Sequence, residues 1–324
     1  MSKSKLRHFA LCLFSFCMLI HTSLLRAQDF PNKVVHLYTA EAGGGADFVA
    51  RIIAQGLSAN FGHQVVVDNR GGGLASGELV ARAAADGYTL LLQGSAFLLA
   101  PLLRNNVPYD VIRDFAPISL ADTSPNILVI HPSLPIHSVR DLIALARARP
   151  GALNYASGSI GASPYLAAEL FKAMADVKIV LINYRGTALA LNELIGGQVQ
   201  LMFVTTGAGS TSHIKSGRLK ALAVTSAQPS ALAPGLPTIA ASGVPGYEAI
   251  SFHALFAPAA TPPAIIAKLN AEINRVIKRP DVREKFFAAG VDANGGSPEQ
   301  FSATVKSEVA KWGKVIKDAG IRAD

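Results

Sequence analysis

Val34-Val35-His36-Leu37-Tyr38-Thr39-Ala40-Glu41-Ala42-Gly43-Gly44-Gly45-Ala46-Asp47-Phe48 runs from a short apolar strand through a glycine turn into an amphipathic helix. The three glycines let the backbone turn tightly and approach a ligand closely, and the helix start presents unpaired N–H groups at the positive end of a dipole. That is the design of an anion site. A second loop of the same kind lies downstream, with Asn154-Tyr155-Ala156 as the strand and Ser157-Gly158-Ser159-Ile160-Gly161-Ala162 as the turn. Ser163-Pro164 then reads as N-cap and first helical residue. Two such sites in one chain point to two lobes around one ligand.

Outward from these loops, apolar runs of strand length alternate with segments of helical period, the pattern of parallel strands joined by crossover helices. The fold class is α/β. Strands are expected over residues 34–38, 64–67, 89–92, 127–130, 179–182, 199–203 and 219–224, and helices over 48–60, 75–84, 138–148, 163–175 and 188–196. In the first helix Phe48, Ile52, Ile53 and Leu57 share a face, with Arg51 and Gln55 opposite. Three more helices follow Pro262, over 264–277, 281–289 and 298–318, the last opened by Ser297-Pro298-Glu299-Gln300 with Ser as cap and Gln three residues on. No flexible linker separates two domains, so extended segments at 115–122 and 249–257 are the expected crossings. The expected division is residues 28–121 and 251–324 in one lobe and 122–250 in the other.

Residues 1–27 carry Lys3, Lys5 and Arg7 before an apolar run over 9–20, which reads as an export signal cut after Leu25-Arg26-Ala27. Leu25 is bulkier than the residue preferred there, but the run is short of the ~20 apolar residues that a spanning anchor needs. Four of the 30 basic residues lie in this leader and none of the 22 acidic ones, so the formal charge falls from +8 to +4 on its removal. The remaining Lys and Arg are dispersed, and a nucleic-acid partner loses its support. Both cysteines, Cys12 and Cys17, lie in the leader. The remaining chain of about 300 residues buries a core large enough to stand without disulfides. A periplasmic, monomeric protein is expected.

Catalytic signatures are missing. Gly161-Ala162-Ser163-Pro164-Tyr165 begins like a nucleophile elbow but has Tyr where the second Gly belongs. Neither Gly43-Gly44-Gly45 nor Gly71-Gly72-Gly73 completes a dinucleotide fingerprint, and no phosphate-loop Gly-Lys-Ser/Thr occurs. His63, His131, His137, His213 and His253 lack metal-ligand spacing; His253 stands out by its place in an expected crossing strand. What remains is a set of small-residue turns at strand ends: residues 41–47, Gln93-Gly94-Ser95-Ala96, residues 157–163, Tyr184-Arg185-Gly186-Thr187 and Val204-Thr205-Thr206-Gly207. Ligands of open α/β sheets bind outside the carboxyl ends of strands, so these turns are expected to converge on a binding cleft. No cofactor, metal or catalytic residue is expected. A sensor on the same fold, and an exported hydrolase using Ser163 or Ser95, are the competing roles.

The sequence resembles the solute-binding receptors of tripartite tricarboxylate transporters, the Bug family, over nearly the whole chain after the leader. The resemblance is carried by Val67-Asp68-Asn69-Arg70 before a glycine run, Asp86-Gly87-Tyr88-Thr89-Leu90-Leu91, Pro108-Tyr109-Asp110, Arg113-Asp114-Phe115-Ala116-Pro117-Ile118, Gly196-Gly197-Gln198-Val199-Gln200 and Phe256-Ala257-Pro258. It implies a periplasmic binding protein of the two-lobed type II kind, which closes on a small organic acid or amino-acid-like ligand and delivers it to a membrane permease. Carried over by position, Gly43, Gly44, Asp47, Ser95, Ser157, Gly161, Ser163, Tyr184 and Gly186 correspond to pocket residues. The turns add Glu41, Ala42, Gly45, Ala96, Gly158, Arg185, Val204 and Thr205 to the expected ligand-binding set. Three departures matter. Thr39-Ala40-Glu41-Ala42 replaces the family's usual Pro-Phe-x-Pro, Phe203-Val204 replaces Phe-Asp, and Arg185 stands where a Lys or small residue often follows Tyr. Glu41 facing the pocket would repel a second ligand carboxylate; facing outward it is a solvated loop residue. Arg185 has the same two readings, with a planar fork suited to a carboxylate in the first.

Overall fold

The computed structural model describes residues 30–70, 73–158, 160–206, 210–318 and 320–321. The expected leader and its cleavage point lie outside the described residues, as do Gly71, Gly72, Ser159 and Gly207.

The opening strand is β1 (Val35–Thr39), with Val35, Leu37 and Thr39 buried and His36 exposed, the period of a pleated strand. It is followed by α1 (Gly45–Phe61), β2 (Val65–Asn69), α2 (Gly73–Ala81), β3 (Thr89–Gly94), α3 (Ser95–Leu103) and the 16-residue β4 (Phe115–Ile130). Then come α4 (Val139–Ala148), β5 (Asn154–Ser157), α5 (Ser163–Ala175), β6 (Val180–Asn183), α6 (Thr187–Ile195), β7 (Leu201–Thr205), α7 (Ser210–Lys215) and β8 (Lys220–Val224). The chain ends with β9 (Ile250–Pro258), α8 (Pro263–Ile277), α9 (Pro280–Ala288), the short β10 (Asp292–Ala293) and α10 (Pro298–Asp318).

The strands form two sheet halves that share β4, and these are the two lobes. In the first, β2, β1 and β3 are parallel, and β9 runs antiparallel between β3 and β4. In the second, the end of β4 lies between β7 and β8, antiparallel to both, and β5 is parallel to β7 and β6. The expectation of parallel strands therefore holds for the strand–helix units and fails at β4 and β9. The two expected strands at 115–122 and 127–130 are one continuous strand. It pairs with β9 from Phe115 to Pro125 and passes to β8 at Ile127. Register shifts at Pro117/Ser119 and Leu120/Asp122 bend it on the way.

Helices cover both faces. In α1 the buried stripe is Val49, Ala50, Ile53, Ala54 and Leu57. Phe48 is 37% exposed, its ring tilted against that of Phe286, so the face lies one residue on from the expected one. Val49 and Ala50 are fully buried in the apolar cluster that holds Val35 and Leu37 of β1. A methyl group on Gly56 would lie 2.5 Å from Val276 Cγ1, so α1 and α8 touch nearly backbone to side chain. One apolar cluster is continuous across both lobes and includes Phe97, Phe115 and Phe256 with Leu128, Tyr155 and Phe203. At the crossing, the hydroxyls of Ser124 on β4 and Thr206 after β7 meet at 2.8 Å, and both reach Gly290 O behind α9.

Candidate functional site

The strand–helix units β1–α1, β3–α3, β5–α5 and β6–α6 share one construction. Their helices start at Gly44, Gly94, Ala162 and Gly186 as N-caps, and none has a side-chain cap. By contrast α4 is capped by Ser138, whose Oγ accepts from Asp141 N at 3.1 Å. The first-turn N–H groups of these four helices thus have no intrahelical acceptor and no bond from an N-cap side chain, a lack shared by α8 and α9 with N-caps Pro262 and Arg279. Their positive dipole ends lie at the carboxyl ends of parallel strands, two units in each lobe.

In the first lobe residues 41–45, including Glu41, Ala42, Gly43, Gly44 and Gly45, form an exposed rim. Gly43 takes the left-handed φ of 81° that the turn requires. Asp47 is folded beneath this rim and only 4% exposed. Its Oδ2 accepts from Gly43 N at 2.9 Å and Arg51 Nε at 3.0 Å, and its Oδ1 accepts from Asn69 Nδ2 at 2.9 Å. Asn69 also donates to Ala40 O at 2.8 Å. Burial pushes this carboxyl up, but the bonds from Arg51, Gly43 and Asn69 outweigh it and hold it below the usual range. The structure thus uses Asp47 to set the loop, with its oxygens already occupied. At β3–α3, Ser95 is buried and its Oγ has no hydrogen-bond partner among the described residues, while Ala96 is exposed.

In the second lobe Ser157 O accepts from Tyr184 N at 2.8 Å and Gly158 O from Gly186 N at 3.0 Å, which binds the two turns side by side. A methyl on Gly158 would lie 2.4 Å from Thr187 N, so this position admits no side chain. Ser157, Gly158 and Thr205 join Ala162, Pro164, Thr187 and Met202 around a cavity of about 200 Å³. Arg185 and Gly186 are exposed, whereas Tyr184 packs partly on the apolar cluster of this lobe. Gly161 meets the other lobe: a methyl there would lie 3.0 Å from Leu103 Cδ1 at the end of α3.

Two expectations need correction. The side chain of Val204 is fully buried among Ile127, Val129 and Met202: β7 is buried on both faces, and alternation turns Val204 to the same apolar cluster as Met202. Ser163 is the first helical residue and not the N-cap, which is Ala162. Its Oγ instead accepts from Asn126 Nδ2 at 3.0 Å, an amide of the crossing strand. That partner is a donor and cannot act as a general base, so the geometry gives no support to Ser163 as a nucleophile.

Sequence reading missed Asn126, Asn69 and Asp122. Asp122 is fully buried, and both its oxygens lie 3.0 Å from His253 Nδ1. The available signal was a lone carboxylate in one crossing strand and a lone histidine in the other.

The sequence profile described as the tripartite tricarboxylate transporter family receptor matches residues 49–321. The chain belongs to this receptor family. Among its relatives, protein BugT of Bordetella pertussis is 36% identical over 301 residues, covering 91% of this chain and 92% of BugT. A solved R. palustris protein with adipate superimposes with a TM-score of 0.77 at 36% identity, covering 90% of this chain and 99% of that one. MatC from Rhodopseudomonas palustris, with bound malate, superimposes with a TM-score of 0.73 at 27% identity, covering 89% and 100%. Among the described residues no helix is long and apolar enough to cross a membrane.

Proposed function

We propose that this receptor captures a small carboxylate-bearing metabolite between its lobes in the periplasm and delivers it to the membrane subunits of a tripartite transporter. The observation that carries the proposal is the set of four uncapped helix starts, two per lobe, at the ends of parallel strands. Two similar solved proteins are described with carboxylates, adipate in one and malate in the other. In this reading the rim at 41–45, the turns at Ser157-Gly158 and Tyr184-Arg185-Gly186, and Thr205 contact the ligand, while Asp47 and Asn69 shape the loop. Residues 1–27 serve as the export leader, and the lobes divide at 121–122 and 250–251. The protein acts as a monomer and does no chemistry on its ligand.

Calorimetry and thermal unfolding of ligand-stripped protein against mono-, di- and tricarboxylates, amino acids and aromatic acids test the proposal. At least one acid is expected to raise the unfolding midpoint, because a ligand specific to the folded state stabilises it. A panel in which no acid has any effect would overturn the reading.

A further inference from the structure

We infer that His253, held by Asp122, is the group that reads ligand charge at the base of the cleft, its Nε2 donating to a carboxylate seated between the starts of α1 and α3. The inference rests on the proposed function and assigns a residue to it.

The first support is the position of the ring. β9 lies between β3 and β4, and His253 is in register with Gly94 on one side and Asp122 on the other. A methyl on Gly45 would lie 3.3 Å from His253 Cε1 and 3.6 Å from Nε2; one on Gly94 would lie 3.4 Å from Cδ2 and 3.8 Å from Nε2. The free edge of the imidazole therefore sits between the first residue of α1, Gly45, and the N-cap of α3, Gly94. Both of these neighbours are glycine, so at these two positions the ring faces backbone.

The second support is the assignment of protons. Asp122 is fully buried and has no other hydrogen-bond partner among the described residues. A buried carboxylate demands a donor, so Nδ1 carries a proton in both charge states of the ring. Nε2 is then the atom that titrates. It has no partner among the described residues, and the side chain keeps 17% of its surface open. Buried hydroxyls without partners among the described residues are Ser95 Oγ, just after the neighbouring strand β3, and Thr39 Oγ1 at the end of β1, one strand further on. Because Ser95 Oγ makes no bond to the ring, the arrangement is not an activated serine.

The surrounding charges favour a cation there. Asp122 on β4 touches the ring; Asp47 on α1 is turned to Arg51 and Asn69; Asp292 on β10 is exposed and pairs opposite Thr123. Residues 93–96 carry no ionisable group. Burial opposes protonation of His253, but Asp122 outweighs it, and the ring titrates above the ordinary histidine value. An imidazolium paired with Asp122 is neutral as a unit, and its Nε2–H adds a charge-assisted donor to the helix N–H groups.

Binding through Nε2–H takes up a proton once the ring is neutral in the free protein. Affinity is then flat below the pKa of His253 and falls as pH rises through it, approaching tenfold per pH unit.

Adipate and malate serve as probes, titrated calorimetrically from about pH 5.5 to about pH 8.5, the range in which histidine changes charge. Wild type is expected to lose affinity across this range. His253→Gln, a donor that does not titrate, is expected to bind about tenfold more weakly at low pH and to show a flat profile. Asp122→Asn is expected to move the fall to lower pH, which a purely structural role would not do. At a pH above the pKa of His253 in the free protein, where Nε2 is unprotonated, ring ¹⁵N NMR of wild type is expected to show the His253 Nε2 signal moving to the protonated form on adding adipate. If His253→Gln does not fold, the double variant Asp122→Asn/His253→Gln, which leaves no lone buried charge, takes its place. A probe that binds wild type with a flat pH profile, or an unmoved Nε2 signal, would overturn the inference and leave the receptor function standing. Failure of wild type to bind any acid would overturn both.

Discussion

Asp47 and Glu41 lie six residues apart and are expected to behave differently on substitution. Asp47 holds Gly43, Arg51 and Asn69 with both oxygens, so Asp47→Asn loses charge-assisted bonds worth about 1–3 kcal/mol of stability near neutral pH. The folded pKa of Asp47 is depressed. Its contribution is therefore complete above the unfolded value of about 3.9 and is lost as pH falls through the folded value. Urea unfolding of wild type and Asp47→Asn is expected to show a gap at neutral pH that closes in acid; a gap constant with pH would show that the charge plays no part. Glu41, on the exposed rim, is expected to act on choice of ligand: Glu41→Ala should shift the ranking of mono- and dicarboxylates more than Asp47→Asn does. Identical rankings for wild type and Glu41→Ala would reduce the rim to a backbone cradle. The glycine run marked the turn itself in the sequence, where Gly43 takes a left-handed φ of 81° before α1. The inward turn of Asp47 was half legible: Arg51 lies one helical turn away, whereas Asn69 arrives from another strand. The His253–Asp122 pair joins residues 131 apart in sequence, and only the pairing of β9 with β4 brings them together.

Elements whose signals are local were readable, and those whose signals are tertiary were not. Ser297 and Gln300 form the expected reciprocal box: Ser297 N donates to Gln300 Oε1 at 2.9 Å and Gln300 N to Ser297 Oγ at 3.2 Å. Ser297→Ala is expected to cost about 0.5–2 kcal/mol, measured as a lowered unfolding midpoint with unchanged ligand affinity. A matching loss of affinity would mean that α10 is coupled to the cleft. The helix α3 escaped notice because Ser95-Ala96-Phe97-Leu98-Leu99-Ala100-Pro101-Leu102-Leu103 has no polar face and carries an internal proline. Apolar on all sides, it shows no period of 3.6 residues, as befits a helix buried between sheet and C-terminal helices. β4 reads as two segments, 115–122 and 127–130, because Thr123-Ser124-Pro125-Asn126 breaks its apolar pattern; the change of partner after Pro125 accommodates that break.

The whole molecule is described as two lobes, yet its core is not divided. The cluster that holds Phe97, Phe115 and Phe256 beside the first sheet half continues into Leu128, Tyr155 and Phe203 of the second. β4 runs unbroken through both halves, and the Ser124–Thr206–Gly290 contacts tie the second lobe to the C-terminal return. Melting one half would therefore strip apolar contacts from the other, at about 25 cal/mol for each Å² newly exposed. Unfolding is expected to be a single cooperative transition. Trp312 provides the local probe: it is the only tryptophan, 4% exposed on α10, with Nε1 donating to Glu308 Oε2 at 2.8 Å. Its fluorescence reports the first lobe, while far-ultraviolet circular dichroism reports helices of both. The two midpoints are expected to coincide without ligand and to move together with it, by about 2.7 kcal/mol of added stability at about 100 times the dissociation constant. Separate midpoints, or a ligand shift seen by only one probe, would show that each lobe melts alone and that β4 acts as a tether between independent halves.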